Sequence, residues 1–137
     1  MRYMGIDYGD ARVGVALSDP LGMMAQRFTT VQNTGGKKMF LQLLEIIKEK
    51  DVGHIVIGMP KNMDGTEGFR AEETYAFAER LKTYTDIEIS FWDERLTTVA
   101  AHGYLSELDV RGKKRKDVVD AVSAELILEG YMNSLSK

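Results

Sequence analysis

The chain has 137 residues, of which 44% are hydrophobic and 28% charged, with a net charge of −3 and no cysteine. That length suits a single domain over residues 1–137 with a core of its own, and the lack of cysteine excludes disulfides, thiolate nucleophiles and zinc–thiolate centres. No apolar run is long enough to span a bilayer and the N-terminus lacks a signal-peptide pattern, so a cytoplasmic protein without membrane contact is expected; the mild acidity argues weakly against nucleic acid as a partner, since a local basic strip suffices for phosphates.

Arg2 to Tyr8 alternates, with Met4, Ile6 and Tyr8 on one side and Tyr3, Gly5 and Asp7 on the other. After the turn Gly9-Asp10-Ala11, Val13, Val15 and Leu17 alternate with Gly14, Ala16 and Ser18, which predicts a β-hairpin. Asp19-Pro20-Leu21-Gly22 is turn chemistry, and a third strand is expected within Gln26 to Val31. Met39, Phe40, Leu43, Leu44, Ile46 and Ile47 recur at helical spacing, so Gly36 to Lys50 reads as an amphipathic helix. His54 to Met59 is a continuous apolar run, the signature of a strand buried on both faces. A polar loop, Lys61 to Gly68, leads to a helix over Arg70 to Tyr84 whose inner face carries Thr74, Ala78 and Leu81. Then come a strand at Ile87 to Asp93, a helix at Leu96 to Leu108, a basic run and a final helix at Lys116 to Leu135. The order βββ-α-β-α-β-α-α predicts an α/β fold. A three-stranded antiparallel meander leads into β-α-β in a five-stranded mixed sheet with helices on both faces, an order that fits the RNase H-like superfold. That superfold hosts many activities, so the site must decide function.

Acids stand where a sheet protein would gather them. Asp7 is on the first strand, Asp93 and Glu94 close the last, and Asp117 and Asp120 share one helix face. Converging carboxylates repel one another, and a hard divalent cation resolves the conflict, so magnesium or manganese is implied rather than zinc. Plainer explanations fit the same residues. Asp7 can simply end a strand, Asp93 or Glu94 can cap a helix or pair with Arg95, and Asp117 and Asp120 suit a helix N-terminus whatever the function. Lys113, Lys114, Arg115 and Lys116, beside these acids, are candidates for phosphate contact, as are Lys61 and Arg70 flanking the polar loop. Tyr8 and Trp92 can stack bases or fill core, and His54 reads as core. No Walker A, Gly-x-Ser-x-Gly or Gly-x-Gly-x-x-Gly motif occurs.

Four segments together resemble one family. They are Gly5-Ile6-Asp7-Tyr8-Gly9 with Arg12 to Ala16 and Ser18-Asp19; Gly58-Met59-Pro60 with Met63 to Gly68; Asp93-Glu94-Arg95-Leu96-Thr97-Thr98; and Lys114 to Lys116 with Asp120-Ala121 and Ile127-Leu128. The family is the YqgF/RuvX group, described provisionally as pre-16S rRNA nucleases and as Holliday junction resolvases. The resemblance implies a bacterial hydrolase that matures the 5′ end of small-subunit rRNA, with Asp7, Glu94 and Asp120 as active-site acids around two Mg²⁺ or Mn²⁺ ions and Asp117 as a candidate fourth. Arg12, Arg95 and the basic run would hold the nucleic-acid backbone. Structured precursor rRNA is the expected partner, branched DNA the alternative, and the chain is expected to be a monomer or weak homodimer. The opening segment alone also resembles the phosphate loop of actin-like ATPases, and a catalytically silent RNA-binding assembly factor is a further alternative. The related RuvC resolvases carry an acid at the end of the fourth strand, where this chain has Gly58-Met59-Pro60. Glu94 on the fifth strand must then reach across roughly two strand spacings to meet Asp7, with Asp64 as a stand-in ligand.

Overall fold

A computed structural model describes residues 1–61, 64–94 and 112–135, with backbone alone over 112–119. The elements are β1 (Arg2–Tyr8), β2 (Arg12–Ser18), β3 (Ala25–Gln32), α1 (Lys37–Glu49), β4 (Val52–Met59), α2 (Phe69–Lys82), β5 (Glu88–Asp93) and α3 (Gly112–Leu135). The expected helix at Leu96 to Leu108 lies outside the described residues.

The five strands form one mixed sheet in the order β3-β2-β1-β4-β5. The meander β1-β2-β3 is antiparallel, while β1, β4 and β5 run parallel. The parallel crossovers pass through α1 and α2, which lie on one face. There Met4, Ile6, Val13, Val15, Ile55 and Ile57 pack against Phe40, Leu43, Phe77 and Leu81. The opposite face takes α3, through Ala16, Val56, Ala124, Ile127 and Leu128. β4 is therefore buried on both sides, which explains its unbroken apolar run. It begins two residues before the expected start, because Val52 pairs with Arg2 of β1.

Tyr8 and Trp92 fill core. Tyr8 stacks on Phe77 at 4.3 Å between centroids, and Trp92 meets Tyr131 edge-on. The last helix starts at Gly112, four residues earlier than its apolar pattern suggests, because lysine and arginine are good helix formers. Asp117 and Asp120 thus lie beyond the first turn, where the favourable effect of the helix dipole on acids has faded. That plain explanation for Asp120 falls away.

Candidate active site

Asp7 is the next-to-last residue of β1 and points to the α3 face with Tyr3 and Gly5. Its register partner on β2 is Gly14. A Cβ at Gly14 would overlap the carbonyl oxygen of Asp120, and one at Gly5 would lie 2.7 Å from the carbonyl oxygen of Ala124. The bare backbone at these positions lets α3 settle directly on the sheet, so Asp120 arrives beside the strand position that adjoins Asp7.

Glu94 comes from the far side of β4. Its backbone N–H donates to the Met59 carbonyl at 3.2 Å, extending the β4–β5 pairing one residue past β5. Its side chain then crosses β4 above Gly58, where a Cβ would lie 2.5 Å from Glu94 Oε2. The Asp7 and Glu94 carboxyls are hydrogen-bonded to each other. The strand order does place β4 between them, and Gly58 is what makes the crossing fit. It was the functional residue that the acid pattern missed. The available signal was a glycine at the strand end where the RuvC pattern has an acid.

Charge in this cluster is not resolved by the protein. Asp7 is pushed well above the ordinary carboxylate range, first by burial, then by the charges of Glu94 and Asp120, with the Arg70 guanidinium opposing. Glu94 is also raised, chiefly by burial and with a contribution from Asp93, against the hydrogen bond from Asp7 and the charge of Arg70. Burial and mutual charge thus make full ionisation of this hydrogen-bonded pair costly. Arg70 also stands 3.8 Å from Asp10. Arg12 Nε donates to Asp120 Oδ2 at 3.0 Å. Asn33 braces the turn before Arg12, through its Nδ2 to the Gly9 carbonyl at 2.7 Å.

The donor set fits a hard cation: oxygen ligands, gathered and partly desolvated. Among the described residues no three acids yet stand grouped as a finished metal site. Asp64 instead closes its own turn, accepting from Thr66 N at 3.0 Å and Thr66 Oγ1 at 2.6 Å. Lys61 follows Pro60 beyond the end of β4 and is half-buried. Arg95 lies outside the described residues, as do the side chains of Lys113, Lys114, Arg115, Lys116 and Asp117.

The model of the RuvX family, described as Holliday junction resolvase, matches residues 1–134. The chain belongs to the RuvX family. A Clostridioides difficile relative, provisionally named pre-16S rRNA nuclease, is 49% identical over 96% of this chain and 94% of its own. One from Ruminiclostridium cellulolyticum with the same name is 47% identical over 99% and 96%. Among solved structures, Thermus thermophilus RuvC in complex with a Holliday junction substrate superposes with a TM-score of 0.58 at 12% identity, covering 98% of this chain and 97% of that one. The fowlpox virus resolvase with Holliday junction DNA gives 0.57 at 12% identity, covering all of both chains. These two likenesses establish the RNase H-like resolvase fold.

Proposed function

We propose that this RuvX-family protein is a metal-dependent nuclease that hydrolyses phosphodiester bonds in precursor small-subunit rRNA, trimming its 5′ end. The observation that carries the chemistry is the Asp7–Glu94 pair, joined across β4 and adjoined by Asp120, because it concentrates carboxylates where burial makes their charge costly. The names of the relatives support the substrate class. Asp7, Glu94 and Asp120 would hold Mg²⁺ or Mn²⁺, two ions in all, with Asp117 as a further ligand. Bound there, such ions supply activation of a water and neutralisation of the departing oxygen.

The chain's own groups do the rest. Burial opposes full ionisation of Asp7 and Glu94, a cost that a bound cation would offset. Arg70, whose charge reaches both acids, is placed to bind the backbone phosphate next to the scissile bond, and Arg12, Lys61, Arg95 and Lys113 to Lys116 extend that contact. Phe69, 73% exposed beside Arg70 at the start of α2, offers a free ring face to a base. The protein acts as one domain in the cytoplasm, as a monomer or weak homodimer, and no helix among the described residues is long and apolar enough to cross a membrane.

The test is Mn²⁺-dependent cleavage of a labelled precursor 5′ region, with wild type beside Asp7→Asn and Glu94→Gln and a four-way DNA junction as second substrate. RNA cleavage lost in both variants is the expected result. Cleavage of the junction alone would replace the substrate by branched DNA, which the family description names. Metal-independent RNA binding without cleavage would replace the enzyme by an assembly factor.

A further inference from the structure

The third acid of the cluster is already engaged by a cation from within the chain. Arg12 opens β2, two residues before Gly14, and so lies on the same face as the backbone patch on which Asp120 rests. The 3.0 Å contact between Arg12 Nε and Asp120 Oδ2 joins side chains that are 20% and 23% exposed. Asp120 in turn acts on Asp7 by its charge. A guanidinium holds a carboxylate through directed N–H donors, whereas a divalent cation uses the same oxygen lone pairs and brings twice the charge. The two compete for one group.

We propose that Arg12 is an exchangeable counter-cation, which holds Asp120 in the metal-free protein and releases it when a divalent cation enters the acid cluster. The inference rests on the metal reading of the site given above. It has two consequences. Arg12 weakens metal binding, because its ion pair must be broken first, and so sets the metal concentration at which the site fills. Metal entry also takes the Asp120 acceptor away from Arg12 Nε. The rival is a fixed brace, in which Arg12 only ties β2 to α3. A brace keeps its contact when metal binds, and any gain from removing its charge persists, like that from Arg70→Gln, when Asp120 is neutralised.

The experiment has two readouts, neither of them activity. Mn²⁺ affinity is measured by electron paramagnetic resonance for wild type, Arg12→Gln, Arg12→Lys, Asp120→Asn and the Arg12→Gln/Asp120→Asn double variant, with Arg70→Gln as a control for general charge. The Nε–H resonance of Arg12, assigned by its loss in Arg12→Gln, is followed during a Mg²⁺ titration of wild type. Arg12→Gln is expected to bind Mn²⁺ about 3- to 10-fold more tightly, Arg12→Lys to fall between, and the gain to vanish in the Asp120→Asn background. The gain from Arg70→Gln should survive there. The Arg12 resonance should move away from its metal-free position as Mg²⁺ saturates. An unchanged or weaker Mn²⁺ affinity in Arg12→Gln, or a resonance that stays in place while Mg²⁺ binds, would overturn the exchange and leave the metal site standing. Failure of every variant and of wild type to bind Mn²⁺ would overturn the metal site, and the exchange with it.

Discussion

Two polar clusters lie on the α3 face of the sheet, one toward each end of the strands. At one end His54 Nε2 stands 2.8 Å from Ser90 Oγ, which lies 3.3 Å from the Tyr131 hydroxyl, while His54 Nδ1 is 3.4 Å from Glu88 Oε2. At the other end sit Asp7, Glu94 and Asp120. Between them the face is apolar, closed by Val56, Ala124 and Leu128. Both clusters are recessed and both are hydrogen-bonded. In the His54 cluster, donors and acceptors answer one another and the acid stands beside an imidazole. In the Asp7 cluster, acid stands against acid, with Arg12 paired to Asp120 and the charge of Arg70 acting on both Asp7 and Glu94. Buried polarity alone is therefore a weaker pointer to function than buried like charge.

The contrast is broken most directly at Asp7. Asp7→Asn is expected to lower metal-dependent cleavage by at least about 100-fold, since the proposed ligand to the ion is lost. It should also keep the fold and melt no lower than wild type without metal, because the costly charge goes with the ligand. Cleavage assays and metal-free thermal melts on the same preparation check both halves. A variant that still cleaves, with contaminating nuclease excluded, would place the chemistry elsewhere.

Gly58→Ala comes next. The added methyl would press on Glu94 Oε2 and on the Ile127 side chain, which lies closer still. Overpacking of this kind costs about 1–3 kcal/mol. The informative arm is a Glu94→Ala background, where one of the two obstacles is gone. There Gly58→Ala should cost measurably less in denaturant melts. An equal cost in both backgrounds would mean that Glu94 does not cross the sheet over Gly58.

Why the two clusters differ in legibility follows from the same geometry. The hairpin, the strand at His54 to Met59 and the inner face of α2 were readable because burial imposes a period, and Thr74, Ala78 and Leu81 are indeed buried. Asp7, Glu94 and Asp120 were readable only through the motifs around them, since acids at strand ends and on helices also occur without function. Their meeting depends on Gly14 and Gly58, whose role appears only when α3 and the β5 end are placed in three dimensions. The polar partners of His54 were hidden for a related reason: Ser90 and Tyr131 are 36 and 77 residues away from it in sequence, and no local period links them. The start of α3 was misplaced because a basic turn has helix propensity but no apolar stripe to announce it.

The pH dependence of stability sharpens the contrast further. In the folded protein Asp7 and Glu94 both titrate above their ordinary values of 3.8 and 4.5. The folded state then binds more protons than the unfolded one, so stability falls as pH rises through that range and beyond. The stabilisation is complete below the unfolded values and is lost on passing the folded ones. A tenfold difference in proton affinity between the folded and unfolded states corresponds to about 1.4 kcal/mol, or about 2–5 °C in Tm for a chain of this size. Metal-free melts from pH 4 to pH 8 should therefore show wild type losing ground to Asp7→Asn as pH rises, with Mg²⁺ closing the gap at neutral pH. Parallel curves for the two proteins would mean that the Asp7–Glu94 pair does not hold an extra proton.

Ser90→Ala carries the smallest effect and tests the other side of the contrast. The substitution removes the 2.8 Å partner of His54 Nε2 and leaves the Tyr131 hydroxyl, at 3.5 Å, as the nearest replacement. A small rotation of the tyrosine can recover part of the lost bond, so the cost should sit near the low end of the range for an unsatisfied buried group, about 1 kcal/mol. Because the cluster is closed on itself and separated from the acids by Val56 and the α3 apolar contacts, cleavage rate and Mn²⁺ affinity should stay at wild-type values. A loss of Mn²⁺ affinity in Ser90→Ala would show instead that the two ends of the face are coupled through α3, whose Tyr131 and Asp120 then move as one rigid rod. Asp7→Asn should break function and spare stability, Ser90→Ala should do the reverse, and that opposition is what would separate a site from a seam in the packing.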